Sequence, residues 1–190
     1  WSGGNTSSTA DGNVSITGTT NLVGGILDAG RTLTVTANVA GAGFSNSAKI
    51  HATGATGTTA IGITADQMTL NSGSELDATT STGTAASVQL KTLTNAATHS
   101  IAINGADSAT VLGLTSAELD TVGVGTFVGN RLEVGDAAFL GDITGSGSVT
   151  GTVPLLLVTQ GNVGISGMSF TYSAPAVPAV PVLGTTDLAL

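Results

Sequence analysis

Residues 13–29 read NVSITGTTNLVGGILDA, and the same design returns over residues 61–78 as IGITADQMTLNSGSELDA. Each copy runs from an apolar-x-Ile-Thr segment through a variable turn into Gly-x-x-Leu-Asp-Ala. From Ile16 to Ile63 is 47 residues and from Leu27 to Leu76 is 49, which is two turns of a solenoid with about 20–25 residues per turn. Between the copies, Leu33–Ala37 (LTVTA) and Lys49–Thr53 (KIHAT) supply further short strands. A repeat of this length, built from short strands among Gly, Ser, Thr and Asn, predicts an all-β fold of stacked coils, a β-solenoid.

Composition points the same way. The chain has 190 residues, 28 of them Gly, with 41% hydrophobic but only 3% aromatic side chains. Its core is therefore made of Val, Ile, Leu and Ala, and a core without large rings is narrow or layered. Aliphatic ladders in which each coil touches only its neighbours meet that condition. Charged residues are 8%, so Thr, Ser, Asn and Gly provide the polar cover. About seven coils are expected between residues 13 and 170, stacked at about 4.8 Å each into a rod about 34 Å long.

The net charge is -8, and the four basic residues, Arg31, Lys49, Lys91 and Arg131, stand far apart in sequence. Nucleic-acid binding needs clustered Lys and Arg to displace counterions and is excluded as a partner class. Zero cysteines exclude a disulfide scaffold, a thiolate metal site and covalent haem. Trp1 and the polar run after it do not read as a signal peptide, so the chain is expected to be a mature product or a piece of something longer. The longest aliphatic run, Val153–Val158, contains Pro154 and falls far short of the roughly 18–20 residues of a spanning helix. No membrane span is expected.

Three regions follow: a lead-in loop over 1–12, the solenoid over 13–172, and a Pro/Ala-rich tail over 173–190. In the solenoid Val14 and Ile16 share one face with Ser15 and Thr17 on the other, and Leu33 and Val35 repeat the pattern among Thr32, Thr34 and Thr36. Thr-x-Thr rows of this kind are good strand formers with a wet face. An ice-binding plane would need the row in register on coil after coil, and the segments MTLNSG, SVQLKT and SIAING do not continue it. Val88, Leu90 and Leu93, then Ile101 and Ile103, mark two later strand cores.

Asp28 and Asp77 occupy the same place in the two Leu-Asp-Ala copies and are expected near one another along one side. An Asp at a coil corner caps a turn by accepting backbone N–H groups; a calcium ion held between coils is the weaker alternative. Neither the Gly-Gly-x-Gly-x-Asp repeat nor an EF-hand loop is present. His51 and His99 are 48 residues apart, close to the two-turn offset, so stacking on one side is open to them, as is a plain surface role. Thr115–Leu119 (TSAEL) carries a helix start: Thr115 as N-cap and Glu118 at N3 form a capping box, with Leu114 and Leu119 as an apolar pair.

The segment VLGLTSAELDTVGVGTFVGNRLEVGDAAFLGDITGSGSVT, residues 111–150, resembles a phrase repeated in the shafts of large secreted bacterial proteins of the filamentous haemagglutinin-like class. The matching pieces are Gly113–Asp120, Arg131–Asp136 and Gly141–Thr144, and upstream coils resemble the class more loosely, so the resemblance spans about residues 13–170. It implies a right-handed parallel β-helix outside the cell or on the bacterial surface, with a role in adhesion, biofilm matrix or contact-dependent competition and surface glycans as a further partner. Asn-Pro-Asn motifs of that class's secretion domain are missing here.

No P-loop, Gly-x-Ser-x-Gly elbow or His-Glu-x-x-His motif is present, and Gly123, Gly125 and Gly129 are wrongly spaced for a dinucleotide fingerprint. No catalytic residue and no cofactor is expected. A polysaccharide lyase or hydrolase is the alternative, with Asp28 and Asp77, or Glu75 and Asp77, as its carboxylates; fold likeness alone gives it no support. In the tail, Pro175, Pro178 and Pro181 recur every third residue and favour an extended segment without ladder donors at the prolines. With Leu183, Leu188 and Leu190 after them, the tail is expected to tether one copy of the chain to the next. Head-to-tail contacts that do not close make a filament.

Overall fold

Short apolar-x-apolar-x segments bury alternate side chains and leave the others wet, so each prefers a place in a stack of like segments. The computed structural model describes residues 6–7, 14–18, 20–22, 26–29, 31–37, 39–41, 43–53, 59–78, 88–124, 130–151 and 153–172. It is all-β with parallel sheets, of a β-helix-like class. A short strand β1 (Thr6–Ser7) precedes a first pass of β2 (Val14–Thr17), β3 (Thr20–Leu22) and β4 (Ile26–Ala29). The second pass is β5 (Leu33–Thr36), β6 (Gly43–Asn46) and β7 (Lys49–Ala52), and the third is β8 (Ile61–Thr64), β9 (Gln67–Leu70) and β10 (Glu75–Ala78). The fourth carries β11 (Val88–Lys91), β12 (Ser100–Ile103), β13 (Val111–Leu114), α1 (Ser116–Leu119) and β14 (Val122–Val124). Then come β15 (Leu132–Gly135), β16 (Asp142–Gly145) and β17 (Gly147–Gly151), and finally β18 (Leu155–Val158), β19 (Val163–Gly164) and β20 (Met168–Tyr172).

The first strand of every pass joins one six-stranded sheet, in the order β2, β5, β8, β11, β15, β18. Its register aligns Ile16, Val35, Ile63, Leu90, Val134 and Leu157 in one row. Ile16 and Ile63 are thus two strands apart, as the 47-residue spacing predicts. A five-stranded sheet runs β1, β4, β7, β10, β14 and aligns Leu27, Ile50, Leu76 and Val122, which meets the second spacing. Leu33, Val35, Ile50, Ile61, Ile63, Leu76, Val88, Leu90, Leu132 and Val134 are all buried, so the core is the layered aliphatic ladder that composition requires.

The outward row Thr17, Thr36, Thr64 is in register over three strands and then passes to Lys91, Gly135 and Val158. MTLN, set against these segments in the sequence reading, lies in another sheet, of β3, β6 and β9. The hydroxyl row is three strands long and ends at Lys91 of SVQLKT, one of the segments that do not continue it in the sequence.

The fourth pass departs from the regular plan. A four-stranded sheet has the order β13, β12, β16, β19, so the chain goes to β12 first and then steps back to place β13 on the side away from β16. Residues 104–110 make the link. Ala102 pairs with Gly113 on one side and Thr144 on the other. Gly113 has no room for a side chain, because a Cβ there would run into the backbone of Ala106 and into the Asp107 nitrogen at 2.5 Å. α1 forms as its capping box predicts: Thr115 accepts the Glu118 N–H while Glu118 accepts from the Thr115 backbone. Leu114 and Leu119 are both buried. The lead-in over 1–5, residues 8–13 and the tail with Pro175, Pro178, Pro181, Leu183, Leu188 and Leu190 lie outside the described residues, so the expected tether does too.

Candidate functional site

Asp28 and Asp77 do come to one row, with a third residue between them. The register of β4, β7 and β10 sets Asp28 opposite His51 and His51 opposite Asp77. Neighbouring strands lie about 4.8 Å apart, so the two aspartates are about 9.6 Å apart along the row. A calcium ion takes its oxygens at about 2.3–2.6 Å, so strand positions about 9.6 Å apart do not by themselves bring two carboxylates to one ion. Among the described residues no group of three or more His, Asp or Glu is arranged to hold a metal.

His51 does not stack on His99. His51 lies within β7, whereas His99 lies in the turn before β12. The 48-residue spacing misleads because the connection from β11 to β12 is longer than that from β8 to β9, so His99 falls before β12 and not on a strand in the row of β7 and β10. What His51 gains is the acidic neighbourhood that its local sequence lacks. Beside it on the same strands, Lys49 Nζ meets Glu75 Oε2 at 3.4 Å, both side chains well exposed. Such a pair contributes little in water. Glu75 and Asp77 share a face of β10 as residues two apart on a strand, the arrangement the lyase or hydrolase alternative uses.

Three other carboxylates, none singled out by sequence patterns, hold the passes together. Asp66 sits in the corner between β8 and β9. Its Oδ2 accepts the Gly41 N–H at 2.7 Å from the pass before, and its two oxygens accept Thr94 N–H at 2.7 Å and Thr94 Oγ1 at 2.6 Å from the pass after. Burial pushes this carboxyl up, but those hydrogen bonds outweigh burial and hold it below the usual carboxylate value. Asp136 occupies the corner after β15 and behaves alike. Burial is opposed by the Lys91 ammonium at 3.0 Å and the Ala138 and Phe139 N–H groups, and the carboxyl ends below its ordinary value. Asn95 continues the same corner, donating to Ala138 O at 2.8 Å and accepting the Leu140 N–H at 2.9 Å.

Asp107 and Glu118 work where the sheet is interrupted between β9 and β13. Asp107 accepts Met68 N–H at 3.0 Å and Gly113 N–H at 2.7 Å, one on each oxygen. Glu118 accepts Leu70 N–H at 3.2 Å through the oxygen its capping box leaves free. Side chains thus supply the acceptors that a neighbouring strand's carbonyls would supply in a regular ladder. Burial, helped by the nearby Glu118 charge, pushes the Asp107 carboxyl above its ordinary value despite the two N–H groups it accepts. The Glu118 role in the cap is legible from TSAEL; its reach to β9 is not, because that depends on the back-step.

A depression of about 140 Å³ lined by Thr64, Lys91, Thr92, Leu93, Asn95, Asp136 and Phe139 has room for a few waters, and Lys91 at its wall is already held by Asp136. The polar groups brought together in this chain serve corners and seams, fastening one pass to the next. No helix among the described residues is long and apolar enough to cross a membrane. Compared with family models, curated proteins and solved structures, the chain matches none.

Proposed function

We propose that the chain is a structural and adhesive module of an extracellular bacterial fibre, a right-handed parallel β-helix segment that stacks end to end with copies of itself or continues a longer shaft. One observation carries this reading. The row that is buried at Leu132 (1% exposed) and Val134 (0%) becomes partly exposed at the next strand, at Leu155 and Leu157. The same end presents Leu140 (46% exposed), Leu156 (37%) and Val163 (47%). A further parallel strand on the outer edge of β18, the last strand of this sheet among the described residues, would cover that row and pair its backbone. At the other end of the six-stranded sheet, among the described residues, lies β2, four residues long like β18, so a second copy offers a strand edge of matching length.

Sedimentation and electron microscopy test the reading. Rods that lengthen with protein concentration are expected, shortened by Leu156→Lys at the β18 end. A chain that stays monomeric at high concentration, with the fold intact by circular dichroism, overturns self-stacking. Surface glycans are tested separately by array binding of the same preparation.

A further inference from the structure

Asn104 is the only described residue other than glycine with a positive φ, at 60°. It follows β12 at the corner where the chain begins its back-step, and three hydrogen bonds fasten that corner. Asn104 N–H donates to Leu114 O at 2.6 Å on β13, Ser146 N–H donates to Ile103 O at 3.4 Å, and the Asn104 side-chain amide donates through Nδ2 to Ser146 O at 3.1 Å. Ser146 joins β16 to β17. The side chain of Asn104 therefore ties the back-stepped pair to the passes that follow. Gly147 is shaped around it: a Cβ there would stand 3.0 Å from Asn104 Nδ2, and its φ of 68° is glycine's territory.

The residue after Asn104 is Gly105, and an exposed Asn-Gly pair has a chemistry of its own. With no side chain on the following residue, the Gly105 backbone nitrogen can attack Asn104 Cγ. A C–N bond forms, the bond to Nδ2 breaks and ammonia leaves. Water then opens the cyclic imide to aspartate or isoaspartate, and no oxidant or reductant enters. In the folded chain both partners are engaged elsewhere: Gly105 N–H donates to Ala102 O at 3.2 Å, and the Asn104 amide is held on Ser146 O.

We propose that Asn104 is a latent deamidation site, silenced while the corner is closed and released when β16–β20 part from β12. The change is one-way. Aspartate at 104 has lost the amide donor and turns acceptor oxygens toward the Ser146 carbonyl. Isoaspartate lengthens the backbone by one methylene at a corner whose N–H and side-chain amide are both hydrogen-bonded. A transient opening of the upper passes is thereby made permanent.

Peptide mass spectrometry with isoaspartate detection, on the full chain at neutral pH with and without urea, tests this. Amide-to-acid conversion at Asn104 is expected to be about ten-fold slower or more in the folded chain, as for a reaction gated by local opening. Equal rates in both conditions, or an unfolded chain that stays amidated at Asn104, overturn the proposal. Hydrogen exchange tests the consequence. Asn104→Asp is expected to raise exchange in β16–β20 and leave β5–β10 unchanged. Asn104→Gly keeps the positive-φ corner without the amide, so the same pattern is expected there even if the aspartate variant does not fold. Unchanged exchange in the glycine variant overturns the tie between Asn104 and the upper passes.

Discussion

Asp107 reaches from the link after β12 to accept the Met68 N–H on β9 at 3.0 Å, where a regular parallel ladder would place a main-chain carbonyl. With Glu118 on Leu70 N–H, it spans the interruption between β9 and β13. Asp107→Ala leaves two backbone donors, those of Met68 and Gly113, without their acceptor, and an orphaned buried donor costs about 1–3 kcal/mol. A loss of that size in urea unfolding is expected for Asp107→Ala. In a double-mutant cycle with Glu118→Ala the two losses are expected not to add, since both belong to one seam. Negligible losses would show that the seam holds nothing, and additive ones that the two carboxylates act independently of one another.

The carboxylates differ in the sign of their pH dependence. Asp66 and Asp136 lie below the ordinary carboxylate value, so the folded chain binds their protons less tightly than the unfolded chain does. Their stabilisation is present above the unfolded value of about 3.8 and is lost as pH falls through the folded one. Asp107 is raised, so its term is present below that unfolded value and is lost as pH rises through the folded one. Asp66→Asn is accordingly expected to reduce stability near neutrality and to flatten its decline in acid. Asp107→Asn is expected to remove a term of opposite slope. Urea midpoints measured from pH 3 to pH 7 check this, and parallel profiles for the two variants would contradict it.

The parts legible in the sequence are those set by local alternation and by equal spacing. Ile16 to Ile63 and Leu27 to Leu76 each cross two strand spacings in the register, because turns in the first three passes have similar lengths. The capping box at Thr115 and Glu118 is likewise local. The back-step was not legible. SIAI and VLGL both bury their second and fourth residues, so alternation does not order them; the structure sets β13 toward β9, with the link at 104–110 lying against Gly113. The fourth pass is longer than the earlier ones, so spacings do not carry into it, and the stacking of His51 on His99 that the spacing left open does not form. Asp66 and Asp107 were missed for a related reason: their partners lie 25–28 and 6–39 residues away, and no short pattern marks them.

The aliphatic row makes a quantitative forecast. Leu90 lies in the middle of the six-stranded sheet, fully buried between Ile63 and Val134. Leu90→Ala removes side-chain atoms from a row whose neighbours are fixed by backbone pairing on both sides, so the site collapses little. A cost of about 2–5 kcal/mol is expected. Leu157→Ala, at a partly exposed place in the same row, is expected to cost clearly less in the monomer. Thermal or urea unfolding of the two variants checks the order, and equal costs would mean that Leu157 is covered as fully as Leu90.

Glycines supply the last forecast, because they separate close stacking from mere looseness. At Gly141 an added Cβ would collide with the carbonyl oxygen of His99 and lie 2.7 Å from the Phe139 ring, while at Gly161 it would lie 2.5 Å from the Gly141 carbonyl oxygen. Three successive passes therefore cross this corner backbone on backbone, and none can carry a side chain without pushing its neighbour away. Gly62, on the outer face of β8, has open space around its Cβ position. Gly141→Ala is expected to cost at least the 1–3 kcal/mol typical of overpacking, since backbone atoms cannot swing aside as a side chain does. Gly62→Ala, in an extended strand with nothing to strike, is expected to stay within about 0.5 kcal/mol of the parent. The contrast is measured by urea unfolding of the two single variants beside Gly161→Ala. If Gly141→Ala is as stable as Gly62→Ala, the passes at this corner are farther apart than the parallel register requires, and the tight stacking of β12, β16 and β19 along that edge is wrong.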